Sequence, residues 1–255
     1  DDKPEYISTG LRVLDNNLHL VPGNFVVIGG RPSAGKTALS LQLACEIAKN
    51  GRRVAYFSLE TDPDTLYARI IANQLGVPLH TVKNKTVSIN ELDRLAAIKK
   101  YPLYVRSAAG KSVGWIRTQS IRMQAKVVFI DYLQLMQSDK HTENRVQEVS
   151  DISRNLKLLA KEFEVPVITC AQLSRASEKE HKKPMLSDLR DSGGIEQDAD
   201  TIMFLSRDYY KDDPEKENIA DCIIAKNRHG STGTVTLGWL GQYTKFMTMD
   251  TSRAN

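Results

Sequence analysis

Asn24–Ala44 reads NFVVIGGRPSAGKTALSLQLA, and the rest of the chain is organised around it. An apolar, β-branched run, Phe25–Ile28, enters a glycine-rich turn. That turn, Gly30-Arg31-Pro32-Ser33-Ala34-Gly35-Lys36-Thr37, fits the pattern G-x-x-x-x-G-K-T. A helical pattern follows at once, with Leu39, Leu43 and Ile47 four residues apart and Ala44 and Ala48 beside them. Strand, glycine loop and helix in that order are the context that gives the motif its meaning. Without a Cβ in the way, backbone N–H groups can converge on phosphate oxygens. The helix N-terminus adds unpaired donors and a partial positive charge. In this reading Gly30 through Ala38 cradle a nucleoside triphosphate with Mg²⁺. Lys36 reaches the β- and γ-phosphates, and the Thr37 hydroxyl ligates the metal. The competing reading, a structural glycine turn with an incidental lysine, leaves the completeness of the motif and its context unexplained.

The chain has 255 residues, 41% hydrophobic and 26% charged, which suits one α/β domain with a large core. The expectation is a single domain over 1–255, with residues 1–20 as a leading linker segment. Asp1-Asp2-Lys3-Pro4 reads as a cut end of a longer protein. A net charge of +4 permits a polyanionic partner without demanding one. Cys45, Cys170 and Cys222 are far apart and match no metal spacing, so buried free thiols in a reducing cytosol are expected. No apolar run approaches the ~20 residues of a membrane span, so no membrane partner is expected.

Upstream of the loop, Leu11, Leu14 and Leu18 share one helical face, and Pro22-Gly23 turns into the strand. Downstream, Arg53–Leu59 reads as a buried strand ending in Glu60, and Thr61-Asp62-Pro63 opens a helix. Glu60 is either a carboxylate that activates water beside the phosphate loop or a solvated loop acid. Leu66, Ile70, Ile71 and Leu75 make an amphipathic helix, and Ser88-Ile89-Asn90-Glu91 is a capping box for another. From Arg94 through Ile130 there is no acidic residue, which suits either a nucleic-acid or subunit surface or a solvated basic face.

Lys126–Met136, KVVFIDYLQLM, is the second anchor. A continuous apolar run suits a central parallel strand, and Asp131 at its end lies where ligands bind in such sheets. There it would hold Mg²⁺ directly or through water. Ser138–Asn144 reads as a polar loop and 145–163 as an amphipathic helix. Val165–Cys170 is a strand that delivers Gln172, a weak candidate γ-phosphate contact. A charged linker, 174–184, leads to a glycine pair near Arg190. That pair suits a loop whose backbone approaches phosphates, or an ordinary flexible connection. Strands are expected over Thr201–Ser206 and Asp221–Ala225, with a charged loop between them. A basic turn from Lys226 to Gly233 follows, then a closing antiparallel pair. Strands alternating with helices, then strands alone, predict a mainly parallel, helix-covered sheet with an antiparallel C-terminal edge.

Taken together, GRPSAGKTA (30–38), FSLE (57–60), IDYLQLM (130–136), AQLSR (171–175), SDLRDSGGIEQDAD (187–200) and KNRHGSTG (226–233) resemble the C-terminal motor domain of DnaB-type replicative DNA helicases. These are RecA-like P-loop ATPases that act as hexamers. The resemblance runs from Ser8 to Phe246, and IDYLQLM and SDLRDSGGIEQDAD are its most specific parts. It implies an ATP hydrolase that translocates on single-stranded DNA and unwinds duplex, working in the bacterial or phage-infected cytoplasm. By motif, Lys36 and Thr37 match the phosphate-loop pair, Glu60 the water-activating carboxylate, Asp131 the Mg²⁺-site acid and Gln172 the γ-phosphate sensor. Lys226 and Arg228 match a basic pair that reaches into the next subunit's site, with Arg228 as arginine finger. Arg190, Asp191 and Gly193 match the loop that grips the DNA backbone. Primase and a helicase loader are implied as partners through regions mostly outside this chain, which by itself is expected to be a monomer or a loose ring. Ser231 stands where the family usually has proline and Gly194 where serine is more usual, and 107–125 matches poorly. A RecA-like recombination or repair ATPase and a nucleotide-gated assembly factor are the alternatives.

Overall fold

The computed structural model describes residues 5–139, 144–173, 183–192, 194–207 and 217–249. Most of the expected linker 174–184, the tip of the loop 138–144, and 208–216 of the charged loop before Asp221 lie outside them. After α1 (Arg12–Leu18), the chain alternates β1 (Phe25–Gly30), α2 (Lys36–Lys49), β2 (Val54–Ser58) and α3 (Pro63–Leu75). Two further helices, α4 (Leu79–Lys83) and α5 (Ile89–Ile98), precede β3 (Leu103–Ser107). Then come α6 (Val113–Arg122), β4 (Val127–Asp131), α7 (Arg145–Phe163) and β5 (Val167–Gln172). A 3-10 segment, Leu186–Ser192, and the short α8 (Ile195–Asp198) lead to β6 (Thr201–Ser206). The chain closes with β7 (Ile219–Asn227), β8 (Gly233–Leu240) and β9 (Lys245–Thr248).

The strands form one sheet in the order β3-β2-β4-β5-β1-β6-β7-β8-β9. β3 through β6 in that order run parallel, and β6, β7, β8 and β9 pair antiparallel. Every residue of β1, β2 and β4 is buried, because helices cover both faces. Alternation along β1 divides the core. Val26 and Ile28 pack with α1, α2 and α3, while Phe25 and Val27 pack with α6 and α7. From β1 the chain crosses to β2 on one side, and it later returns to place β6 on the other. The carboxyl ends beside that reversal are where a doubly wound sheet opens a ligand crevice.

One polar clamp attaches the antiparallel edge to the first layer of helices. Buried Gln42 of α2 donates from Nε2 to the Phe246 carbonyl at 2.8 Å and accepts the Phe246 amide at 2.8 Å. The side-chain amide thereby does for β9 what a neighbouring strand would do.

Two features differ from the sequence expectation. β7 continues through Asn227, pairing Lys226 with Ile202, so the basic turn begins at Arg228 and not at Lys226. The helices α4 and α6 were not anticipated. In α6 the buried positions Val113 and Ile116 are interspersed with Arg117 and Arg122, and the basic character masked the helical spacing. The acid-free stretch makes no single surface. Its residues divide between α5, packed beside α3, and α6, packed on the opposite face of the sheet. Several of its cations are already engaged, Arg117 with Glu162 and Arg94 with the Gln74 carbonyl, as a solvated basic face would have it.

Candidate functional site

The carboxyl ends of β1, β2, β4, β5 and β6 border a cleft of about 520 Å³. Pro32, Ser33, Gly35, Lys36, Thr37 and Ala38 line one side of it, with Glu60, Asp131 and Gln172 opposite. Arg31 and Ala34 are buried in the turn and do not line the cleft. The loop depends on its glycines. Gly35 stands at φ +100 as the residue before α2, where an L side chain would be strained. A Cβ on Gly30 would come 2.9 Å from the Leu205 carbonyl oxygen.

Lys36 lies across the loop, its Nζ donating to the carbonyls of Gly30 and Arg31 at 2.8 Å each. The ammonium is thus held at the mouth of the turn, in reach of any anion bound there. The Thr37 hydroxyl donates to Asp131 Oδ2 at 2.7 Å. Behind them, the Tyr56 hydroxyl lies 3.3 Å from the same carboxylate oxygen and 2.8 Å from Ser40 Oγ. Burial pushes the Tyr56 phenol well above its usual range, and the Asp131 charge adds to this, so Tyr56 stays a neutral donor. A hydroxyl and a carboxylate on adjoining elements are the hard oxygen donors that Mg²⁺ prefers. The residues present therefore fit a triphosphate and its metal.

The remaining candidates fall in two places. Exposed Glu60 follows β2 by two residues and is set by the Leu59 amide, which donates to the Asp131 carbonyl at 2.8 Å. Gln172 ends β5 and is locked by Gln134. The Gln134 amide donates to the Gln172 carbonyl at 2.9 Å and accepts its N–H at 3.1 Å. Lys226 and Arg228 lie elsewhere. β7 runs antiparallel to β6, so they sit beside Thr201, at the opposite end of the strands from the loop. Lys226 Nζ donates to the Glu196 carbonyl at 2.5 Å and Arg228 Nη2 to the Gln197 carbonyl at 2.9 Å. Partial burial, then the neighbouring Arg228 charge, pulls the Lys226 pKa below its ordinary value. Arg190 and Asp191 belong to the 3-10 segment preceding α8. Gly193 lies outside the described residues.

The cleft also contains residues that sequence reasoning missed: Arg69, Arg207, Trp239 and Thr244. The Arg207 guanidinium lies over the Trp239 ring at 4.6 Å. No local motif marks them: Arg69 lies on α3, Arg207 just follows β6, and Trp239 and Thr244 belong to β8 and the turn before β9, which reach the cleft only through sheet pairing. Gln134 was legible as part of IDYLQLM, but not as the lock on Gln172.

A family model for the DnaB-like helicase C-terminal domain matches residues 6–248. The replicative DNA helicase DnaB of Leifsonia xyli subsp. xyli is 41% identical over 95% of this chain and 56% of its own length. That of Geobacillus stearothermophilus is 39% identical over 96% and 57%. The chain thus spans little more than half the length of the curated relatives it matches. Among solved structures, one ATPase domain superposes with a TM-score of 0.91 at 36% identity, covering 98% of this chain and 93% of that one. A DnaB-like replicative helicase, described with its interactions with primase, also superposes with a TM-score of 0.91, at 35% identity, over 98% of this chain and 65% of its own. The match of motif, fold and sequence over nearly the full length leaves one conclusion: this chain belongs to the family of DnaB-like helicase C-terminal domains.

Proposed function

We propose that this chain is the ATP-hydrolysing motor of a replicative DNA helicase, with its active sites built between subunits of a ring. One observation carries the reading. The phosphate loop lies at the carboxyl ends of the parallel strands, and Lys226 and Arg228 lie at the amino end of β6, the length of that strand away, about 17 Å at ~3.3 Å per residue. One chain cannot bring the two together, and neighbouring copies in a head-to-tail ring can.

In this reading Lys36 and the loop amides hold the β- and γ-phosphates, with Thr37 and Asp131 as the residues that hold Mg²⁺. The ion, when bound, would offset the charge of the phosphate oxygens. Glu60, solvent-facing beyond β2, orients and deprotonates the attacking water. Gln172 contacts the γ-phosphate, and Arg228 of the neighbouring copy stabilises charge on the transferring phosphoryl group. Arg207 and Trp239 wall the outer part of the cleft, where a nucleobase can stack. Arg190, Asp191 and Gly193 grip the single-stranded backbone. The hexamer, the DNA and the primase interaction stated for the structural neighbour are carried to this chain as parts of the same proposal.

The test is ATP turnover per subunit against protein concentration, with and without single-stranded DNA. A specific rate that climbs with concentration, and further with DNA, is expected. A flat rate indifferent to DNA means a site complete within one chain, and the motor reading gives way to a nucleotide switch. Filaments on single strands without unwinding favour a recombination ATPase.

A further inference from the structure

Asp200 is the second residue after α8 and the last before β6, and it is buried. Its groups meet three parts of the fold. Oδ2 accepts the Phe25 amide, the first of β1, at 2.8 Å, and Lys157 Nζ of α7 at 2.5 Å. Oδ1 lies 3.4 Å from Arg228 Nη1. The Asp200 main-chain carbonyl accepts the Arg228 amide at 2.9 Å. Arg228 is therefore held by backbone and side chain from one residue, and its second guanidinium nitrogen donates to the last turn of α8 at the Gln197 carbonyl.

The strengths of these contacts are unequal. Lys157 and the Phe25 amide hold Oδ2 closely, while the Arg228 ion pair is long and its side chain is 49% exposed. A carboxylate shared between two cations binds each less firmly than it would bind one. Arg228 is thus aimed by Asp200 yet free to leave it for a stronger anion, and a phosphoryl group is such an anion.

We propose that Asp200 is the positioning residue for Arg228, setting the direction in which the guanidinium is presented to a neighbouring subunit, with Lys157 keeping the Asp200 carboxylate turned toward it. The inference rests on Arg228 acting in trans.

The experiment compares steady-state ATP turnover of the wild type, Asp200→Asn, Arg228→Ala and the double variant, at a protein concentration where the wild-type specific rate has reached its plateau. Asp200→Asn is expected to lower kcat about tenfold with KM for ATP within about twofold, and to cost nothing further on the Arg228→Ala background, because the tether then has nothing to hold. Mixing Asp200→Asn with Lys36→Ala subunits is expected to give more turnover than the two separately. The Lys36→Ala copies lack a phosphate-loop lysine but lend an intact Arg228 to sites on Asp200→Asn copies. Wild-type kcat in Asp200→Asn, or a loss that multiplies with Arg228→Ala, overturns the proposal while leaving the trans reading intact, whereas no gain on mixing removes both. Full turnover by Arg228→Ala removes both. Should Asp200→Asn fail to fold, Asp200→Asn/Lys157→Met removes the stranded ammonium as well and is judged by the same readouts.

Discussion

At Gly30 the tolerance is set by a backbone atom. A Cβ there would approach the Leu205 carbonyl oxygen to 2.9 Å, and Leu205 belongs to β6, which pairs directly with β1. The clash cannot be relieved by a rotamer. Gly30→Ala is expected to destabilise the protein by about 1–3 kcal/mol in a urea melt and to weaken nucleotide binding. Arg228 is the opposite case, because its head is half exposed and far from its own phosphate loop. Arg228→Ala is expected to keep nucleotide binding, read with a fluorescent ATP analogue, while turnover falls by about a thousandfold. The cleft residues Lys36, Thr37, Glu60, Asp131 and Gln172 were legible from sequence because their motifs are local. Lys36 and Thr37 are adjacent, and Asp131 ends an apolar run. Arg207 and Trp239 were not, since neither the spacing nor the composition around them differs from an ordinary strand and loop.

Among the elements, two attachments govern what surrounds the cleft. Gln42 fastens β9 to α2, and Asn73 Nδ2 donates to the same Gln42 oxygen at 3.1 Å. Gln42→Leu strands both backbone groups of Phe246 and removes one of the partners of Asn73, and is expected to cost about 2–4 kcal/mol in denaturant. It is also expected to loosen Trp239, which packs on Phe246 at 4.5 Å between centroids. The second attachment is the cap of α3, where Asp62 accepts the Thr65 amide at 2.8 Å. Hydrogen bonds from Thr65 hold the Asp62 carboxyl below its ordinary pKa. A lowered carboxyl pKa stabilises the fold fully above the unfolded value, and that stability is lost as pH falls through the folded one. Asp62→Asn keeps a capping side chain but does not titrate. Thermal melts should therefore place wild type ahead at pH 7, with the gap closing below about pH 4. The capping box and the Pro63 start were readable locally. α6 was not, because its buried face is narrow and its exposed face is basic.

Over the whole molecule, the chain order switches at β1, which lies between β5 and β6, and this gathers five strand ends at the cleft. Its antiparallel continuation sends Lys226 and Arg228 to the opposite ends of the strands. In the proposed reading the molecule then has a receiving site at one end of its strands and a donating pair at the other, the asymmetry a closed head-to-tail ring requires.

The sequence by itself determined the layers, the parallel-then-antiparallel order of the sheet and the membership of the phosphate loop. Apolar periodicity, glycine placement and caps act over a few residues, so a linear reading captures them. Only the tertiary structure decided which side of the sheet each functional group occupies, that β8 and the turn before β9 wall the cleft, and that Asp200 joins β1, α7 and Arg228. Those relations depend on strand register and pairing across as many as 175 residues of chain, and no local pattern encodes them.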